Sequence, residues 1–124
     1  MTNNEVRFDP IDGILQTFSS GVTTLEHMLK GIDSLGSNRE LPRHLKILED
    51  GRGAHTTFPS KDISILVDRL ELALADYLSI CHAVVHDDPK NTALAFLINS
   101  HMKNEKYTLE VFSTMEAARL WLLL

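Results

Sequence analysis

Ile80-Cys81-His82-Ala83-Val84-Val85, running through His86-Asp87-Asp88-Pro89 into Lys90-Asn91-Thr92-Ala93-Leu94-Ala95-Phe96-Leu97-Ile98, is the stretch that decides the fold. The first six residues are a short apolar run, the signature of a strand at the centre of a sheet. Asp88-Pro89 then gives a capping carboxylate followed by a proline at the first helical position, the start of a helix over Pro89–Met102. The pattern repeats outward. Downstream, Tyr107–Phe112 alternates as a strand, and Ser113-Thr114-Met115-Glu116 reads as a capping box opening a helix over Thr114–Leu123. Upstream, Lys61–Leu78 reads as a helix with an apolar stripe at Ile63, Leu66, Val67, Leu70, Leu74, Tyr77 and Leu78, capped by Ser60, with Asp62 in its first turn. Before it comes a strand, Leu45–Leu48, running into a flexible loop from Glu49 to Phe58-Pro59. Thr23-Thr24-Leu25-Glu26 is another capping box, with Thr23 as the cap and a helix over Thr24–Leu35. Val6–Phe8 and Ile14–Phe18 flank Pro10-Ile11-Asp12-Gly13, a turn signature, and so form an antiparallel hairpin. The order is β-β-α-β-α-β-α-β-α: one layered α/β domain spanning residues 1–124, with about five strands in a mixed sheet and about four helices.

Bulk properties narrow the function classes. The chain has 124 residues, 44% of them apolar and 23% charged, as expected of a folded domain with its own core. Twelve Lys and Arg against 17 Asp and Glu leave a formal charge of −5, which disfavours a nucleic-acid backbone as ligand. Aromatic residues lie inside apolar patterns, not among Lys and Arg. No stretch reaches the roughly 20 apolar residues of a membrane span. Met1–Glu5 lacks a signal-peptide pattern, and Cys81 is the sole cysteine, so a reducing, cytoplasmic setting is expected.

No arrangement of residues announces catalysis, and the chain is expected not to be an enzyme and to need no cofactor. His82 and His86 share a strand face about 13 Å apart, too far for one zinc unless His86 turns off the strand end toward Asp87 and Asp88. Gly51-Arg52-Gly53 lacks a phosphate-cradling motif and reads as a loop needing a permissive backbone. Cys81 reads as a small buried hydrophobe. Asp50, Arg52, Ser60 and Asp87 gather at the carboxyl ends of parallel strands, where α/β sheets place ligand sites.

The chain resembles the STAS domain, and more closely the small stand-alone SpoIIAA-like proteins related to the bacterial anti-sigma-factor antagonists. The residues carrying the resemblance are Arg7-Phe8-Asp9-Pro10-Ile11-Asp12-Gly13-Ile14-Leu15, Leu48-Glu49-Asp50-Gly51-Arg52-Gly53, Phe58-Pro59-Ser60-Lys61-Asp62-Ile63, Val84-Val85-His86-Asp87-Asp88-Pro89-Lys90-Asn91-Thr92-Ala93 and Val111-Phe112-Ser113-Thr114-Met115-Glu116-Ala117-Ala118. They span nearly the whole chain. The resemblance implies a mixed-sheet STAS-like fold and a regulatory role exercised by binding protein. It also places Ser60 near the serine that the antagonists' kinase partner phosphorylates, although Pro59-Ser60-Lys61-Asp62 stands where those proteins have an Asp-Ser-Ser-Gly-like segment.

Three functional expectations follow. The first is a non-catalytic protein-interaction or regulatory domain, with Leu94, Ile98 and Trp121 as candidate contacts in a homodimer. The second is a carrier or sensor of a small lipid or anion, against which a pocket of several hundred cubic ångströms weighs as a strain on so small a core. The third is a partner switch phosphorylated at Ser60.

Overall fold

The structure, a computed structural model, describes residues 2–124, with side chains from Glu5 onward. Its strands are β1 (Thr2–Asp9), β2 (Ile14–Thr23), β3 (His44–Asp50), β4 (Ala54–Thr56), β5 (Ser79–Val85) and β6 (Tyr107–Phe112). Its helices are α1 (Leu25–Ser37), α2 (Ile63–Ala73), α3 (Pro89–His101) and α4 (Met115–Leu123).

β1 and β2 form the expected antiparallel hairpin, with Phe8 opposite Leu15. Its turn is held by two aspartates: Asp9 Oδ1 accepts from the Ile11 amide at 2.8 Å and Asp12 Oδ1 from the Ile14 amide at 2.9 Å. Gly13 supplies the positive φ, +73°, that the turn needs. All other pairings are parallel: β2 with β3, β3 with β5 and β5 with β6, in the order β1-β2-β3-β5-β6. Each crossover steps the sheet in the same direction. Crossovers of one hand therefore put α1, α2 and α3 on one face, and α4 packs on the other.

Strand alternation divides the core accordingly. Leu15, Leu45, Ile47, Ile80, Val84, Tyr107 and Leu109 face the three helices. Ile14, Leu48, Ala83 and Val85 meet Ala118 and Leu122 of α4. A third cluster, Phe58, Ile63, Leu66, Val67 and Leu94, joins the helices to one another.

Several boundaries differ from the sequence reading. β4 was expected to be loop. Its three residues pair with the end of β2, Gly21 beside Ala54, once the chain has turned through Gly53 at φ +82°. Glu49 and Asp50 belong to β3, not to the loop. The capping residue of α1 is Thr24, whose Oγ1 accepts from the His27 amide, and that of α4 is Thr114, accepting from Ala117. In both, the cap sits one residue later than expected, because each helix starts one residue later. Asp88 caps α3 as expected, accepting from Lys90. The expected single helix 61–78 is α2 flanked by 3-10 turns at Ser60–Asp62 and Leu74–Asp76. The second turn tightens so that Tyr77 leaves in extended conformation and is buried. Cys81 is only half-buried, because its side chain points to the thinly covered α4 face.

α1 is the unusual element. Leu25, Met28, Leu29 and Ile32 turn toward α2 and α3, yet none of its residues is buried. Its carboxyl end is pinned. Gly36 lies against Ala73, where an added Cβ would meet the Ala73 Cα at 3.0 Å, and the Tyr77 hydroxyl donates to Leu35 O at 2.7 Å. Asp33 pairs with Arg69 of α2 at 2.5 Å.

Candidate functional site

Between α1 and the sheet lies a cavity of about 400 Å³. Its walls come from β2, β3, β5 and β6 on one side and from α1, α2 and α3 on the other, and they are mainly apolar: Leu15, Ile47, Leu70, Val84, Leu94 and Ile98 contribute. The volume lies within the roughly 300–1,000 Å³ typical of small-molecule sites. A pocket of the size weighed as a strain on so small a core is present, because α1 leans on α2 and leaves the space over the sheet unfilled.

The sheet wall carries a polar cluster. Glu49, His82 and Tyr107 share the helix-facing side of β3, β5 and β6 through the same alternation that buries Ile47, Val84 and Leu109. The Tyr107 hydroxyl meets His82 Nδ1 at 2.5 Å, and His82 Nε2 meets Glu49 Oε1 at 2.8 Å. Tyr107 has no other side-chain partner among the described residues, so its proton goes to His82 Nδ1. The ring's own proton then sits on Nε2, facing the carboxylate. Burial, and secondarily the nearby Glu49 charge, push the Tyr107 hydroxyl far above its ordinary value, so it stays a donor. Burial alone would raise the Glu49 carboxyl; the two histidines beside it outweigh that effect and hold it well below the usual carboxylate range.

His86 is the second of those histidines. It lies past the end of β5 and turns off the strand, as the zinc reading required, but toward Glu49: its Nε2 stands 3.6 Å from Oε2, beyond hydrogen-bonding distance. Gly51 makes room for the ring; a Cβ there would lie 2.5 Å from His86 Cδ2 and 2.7 Å from Nε2. Among the described residues no three His, Cys, Asp or Glu side chains are arranged to hold a metal ion. Two buried side-chain atoms lack a hydrogen-bond partner among the described residues, Thr23 Oγ1 and His86 Nδ1, and both residues line the cavity. Asn91, the one buried polar residue among the described residues, locks α3 to β4. It donates to Ala54 O at 2.7 Å and accepts from Thr56 Oγ1 at 2.5 Å.

Of the strand-end residues singled out from the sequence, Asp50, Arg52 and Asp87 lie in one turn outside this cavity. Arg52 spends its guanidinium on both oxygens of Asp50, at 2.9 and 2.8 Å, and Asp87 accepts from the Gly53 amide at 3.1 Å. Arg52 holds the Asp50 carboxyl below its ordinary value. The group is a turn that satisfies itself. Ser60 is exposed on the 3-10 turn and provides no side-chain cap to it or to α2, correcting the capping role. Leu94 is buried and Ile98 and Trp121 are packed partly inside, so the proposed oligomer contacts point inward. The exposed apolar side chains on those helices are Phe96, Leu97, Leu120 and Leu123.

Glu49 and Tyr107 escaped the sequence reading, and His82 entered it only as half of a histidine pair with His86. The signal that could have found them is parity: each is an even number of residues from an inward-facing apolar neighbour on its strand, once Glu49 is granted to β3.

The chain superposes on an uncharacterised protein of the DUF3478 family with a SpoIIAA-like fold from Shewanella loihica PV-4, over 98% of this chain and 93% of that one. The TM-score is 0.58 and the sequence identity 16%. The fold is therefore SpoIIAA-like, as the resemblance implied. No protein-family model and no curated protein matches the sequence.

Proposed function

We propose that this domain binds a small, mostly apolar molecule in the cavity beneath α1 and acts as a carrier or sensor, without turnover. The observation that supports this most is the cavity itself: about 400 Å³, apolar on most of its wall, with a bonded Glu49–His82–Tyr107 cluster on the sheet side. A void of that size is costly in a close-packed interior. Unpartnered buried atoms at Thr23 and His86 add to the cost. A ligand that fills the void relieves the cost of the empty space.

A protein-interaction role is the second reading. It is favoured by Leu120, Leu123 and Leu124, exposed together at the end of α4. The two readings are compatible if ligand occupancy governs the partner.

Titration with the neutral fluorophore N-phenyl-1-naphthylamine tests the first reading. The expected result is a saturating, blue-shifted rise in emission at one probe per chain. A folded protein that leaves the emission at its buffer value would exclude it.

A further inference from the structure

We propose that the molecule bound in the cavity carries a primary amine, held as an ammonium ion against Glu49, and that the site rejects fatty carboxylates. This inference deepens the ligand-binding reading and rests on it.

The charge inventory of the wall carries the inference. Among the described residues the cavity is lined by two carboxylates, Glu5 and Glu49, by three histidines, His27, His82 and His86, and by no lysine or arginine. Glu5 sits at the rim, exposed, and its charge is matched by Arg7 at 2.9 Å. Glu49 is different. Its side chain is 28% exposed, and that exposure includes cavity wall. Its one close partner is His82, which serves Oε1. His82 engages that one oxygen and leaves the other to further donors. Among the described residues Oε2 has no hydrogen-bond partner, since His86 Nε2 lies 3.6 Å away. An ionised oxygen with free lone pairs, facing an apolar void, selects for a cationic donor. The charge-assisted bond it forms is short and strong. A ligand carboxylate placed beside Oε2 meets like charge in a water-poor setting, with histidines but no lysine or arginine among the described wall residues.

The test is a matched ten-carbon series, decylamine, decanol and decanoate, each displacing N-phenyl-1-naphthylamine at neutral pH below its micellar concentration. The wild-type chain is expected to bind decylamine at least about tenfold more tightly than decanoate. Glu49→Gln keeps an oxygen for the His82 proton but removes the charge. It is expected to bring decylamine down to the affinity of decanol while leaving decanol unchanged. Decanoate binding as well as decylamine, or an amine preference that survives in Glu49→Gln, would overturn the inference and leave the cavity reading standing. Probe binding with no displacement by any of the three would overturn the inference. Failure of the probe itself to bind would overturn the cavity reading as well. Should Glu49→Gln not fold, decyltrimethylammonium replaces it on the wild-type chain. It carries the charge without N–H donors and is expected to bind more weakly than decylamine; equal binding would remove the hydrogen bond to Oε2 from the account.

Discussion

Gly51 is the residue on which the polar wall turns. Its missing Cβ is the space the His86 ring occupies, and its amide also donates to Val85 O at 2.9 Å. Gly51→Ala forces either the ring or the β3–β4 connection to move. We expect a loss of about 1–3 kcal/mol, typical of overpacking, read from urea denaturation. The Glu49 carboxyl makes a separate pH prediction. Its folded value lies below the unfolded value near 4.5, so it binds fewer protons folded than unfolded. The stability it contributes is complete above the unfolded value and is lost as pH falls through that value toward the folded one. The stability difference between wild type and Glu49→Gln should therefore shrink as the pH is lowered past about 4.5. A difference independent of pH across that range would mean that the carboxylate is not held as described.

At the scale of elements, α1 carries the functional argument. Its inward side chains pack mainly toward α2 and α3, and the cavity lies between the helix and the sheet. Gly31, in the middle of α1, lines that cavity, and a Cβ added there meets nothing within 4 Å. Gly31→Leu should raise helix stability by up to about 1 kcal/mol while its side chain fills the cavity mouth. A higher melting temperature with weaker probe binding is the expected pair of results; unimpaired binding would place the probe elsewhere. On α3, Leu94→Ala should cost about 2–5 kcal/mol, as a truncation in a packed core does, without changing the mass seen by light scattering. A change in mass would restore Leu94 as an interface residue. These elements also show what the sequence makes legible. Strand identity, helix identity and the Asp88 cap follow from local patterns that the chain states directly. The caps at Thr24 and Thr114 were displaced by one because adjacent Thr-Thr and Ser-Thr pairs offer two equivalent hydroxyls. β4 was missed because Ala54-His55-Thr56 has no alternation, and its pairing depends on where β2 runs.

For the whole molecule, a layered α/β domain with a mixed sheet is legible in the order of elements, and its SpoIIAA-like character in the resemblance of the segments quoted above. The cavity was not readable. It depends on how far α1 stands from the sheet, a distance set by the anchors at Gly36, Asp33 and Tyr77 and not by any local pattern. The strand-end residues Asp50, Arg52 and Asp87 are legible in the sequence, but Arg52 is taken up by Asp50 and Asp87 by the Gly53 amide, while Glu49 lies one residue away. The account's central claim is that the cavity beneath α1 is the binding site. The most direct test is a set of amide proton–nitrogen correlation spectra recorded while N-phenyl-1-naphthylamine is added to the uniformly labelled chain. The account predicts progressive shifts at Met28, Gly31 and Ile32 of α1 and at Glu49, His82 and Leu109 of the sheet, with Leu120–Leu124 unmoved. Shifts confined to the exposed end of α4, with the cavity-lining amides unchanged, would contradict it.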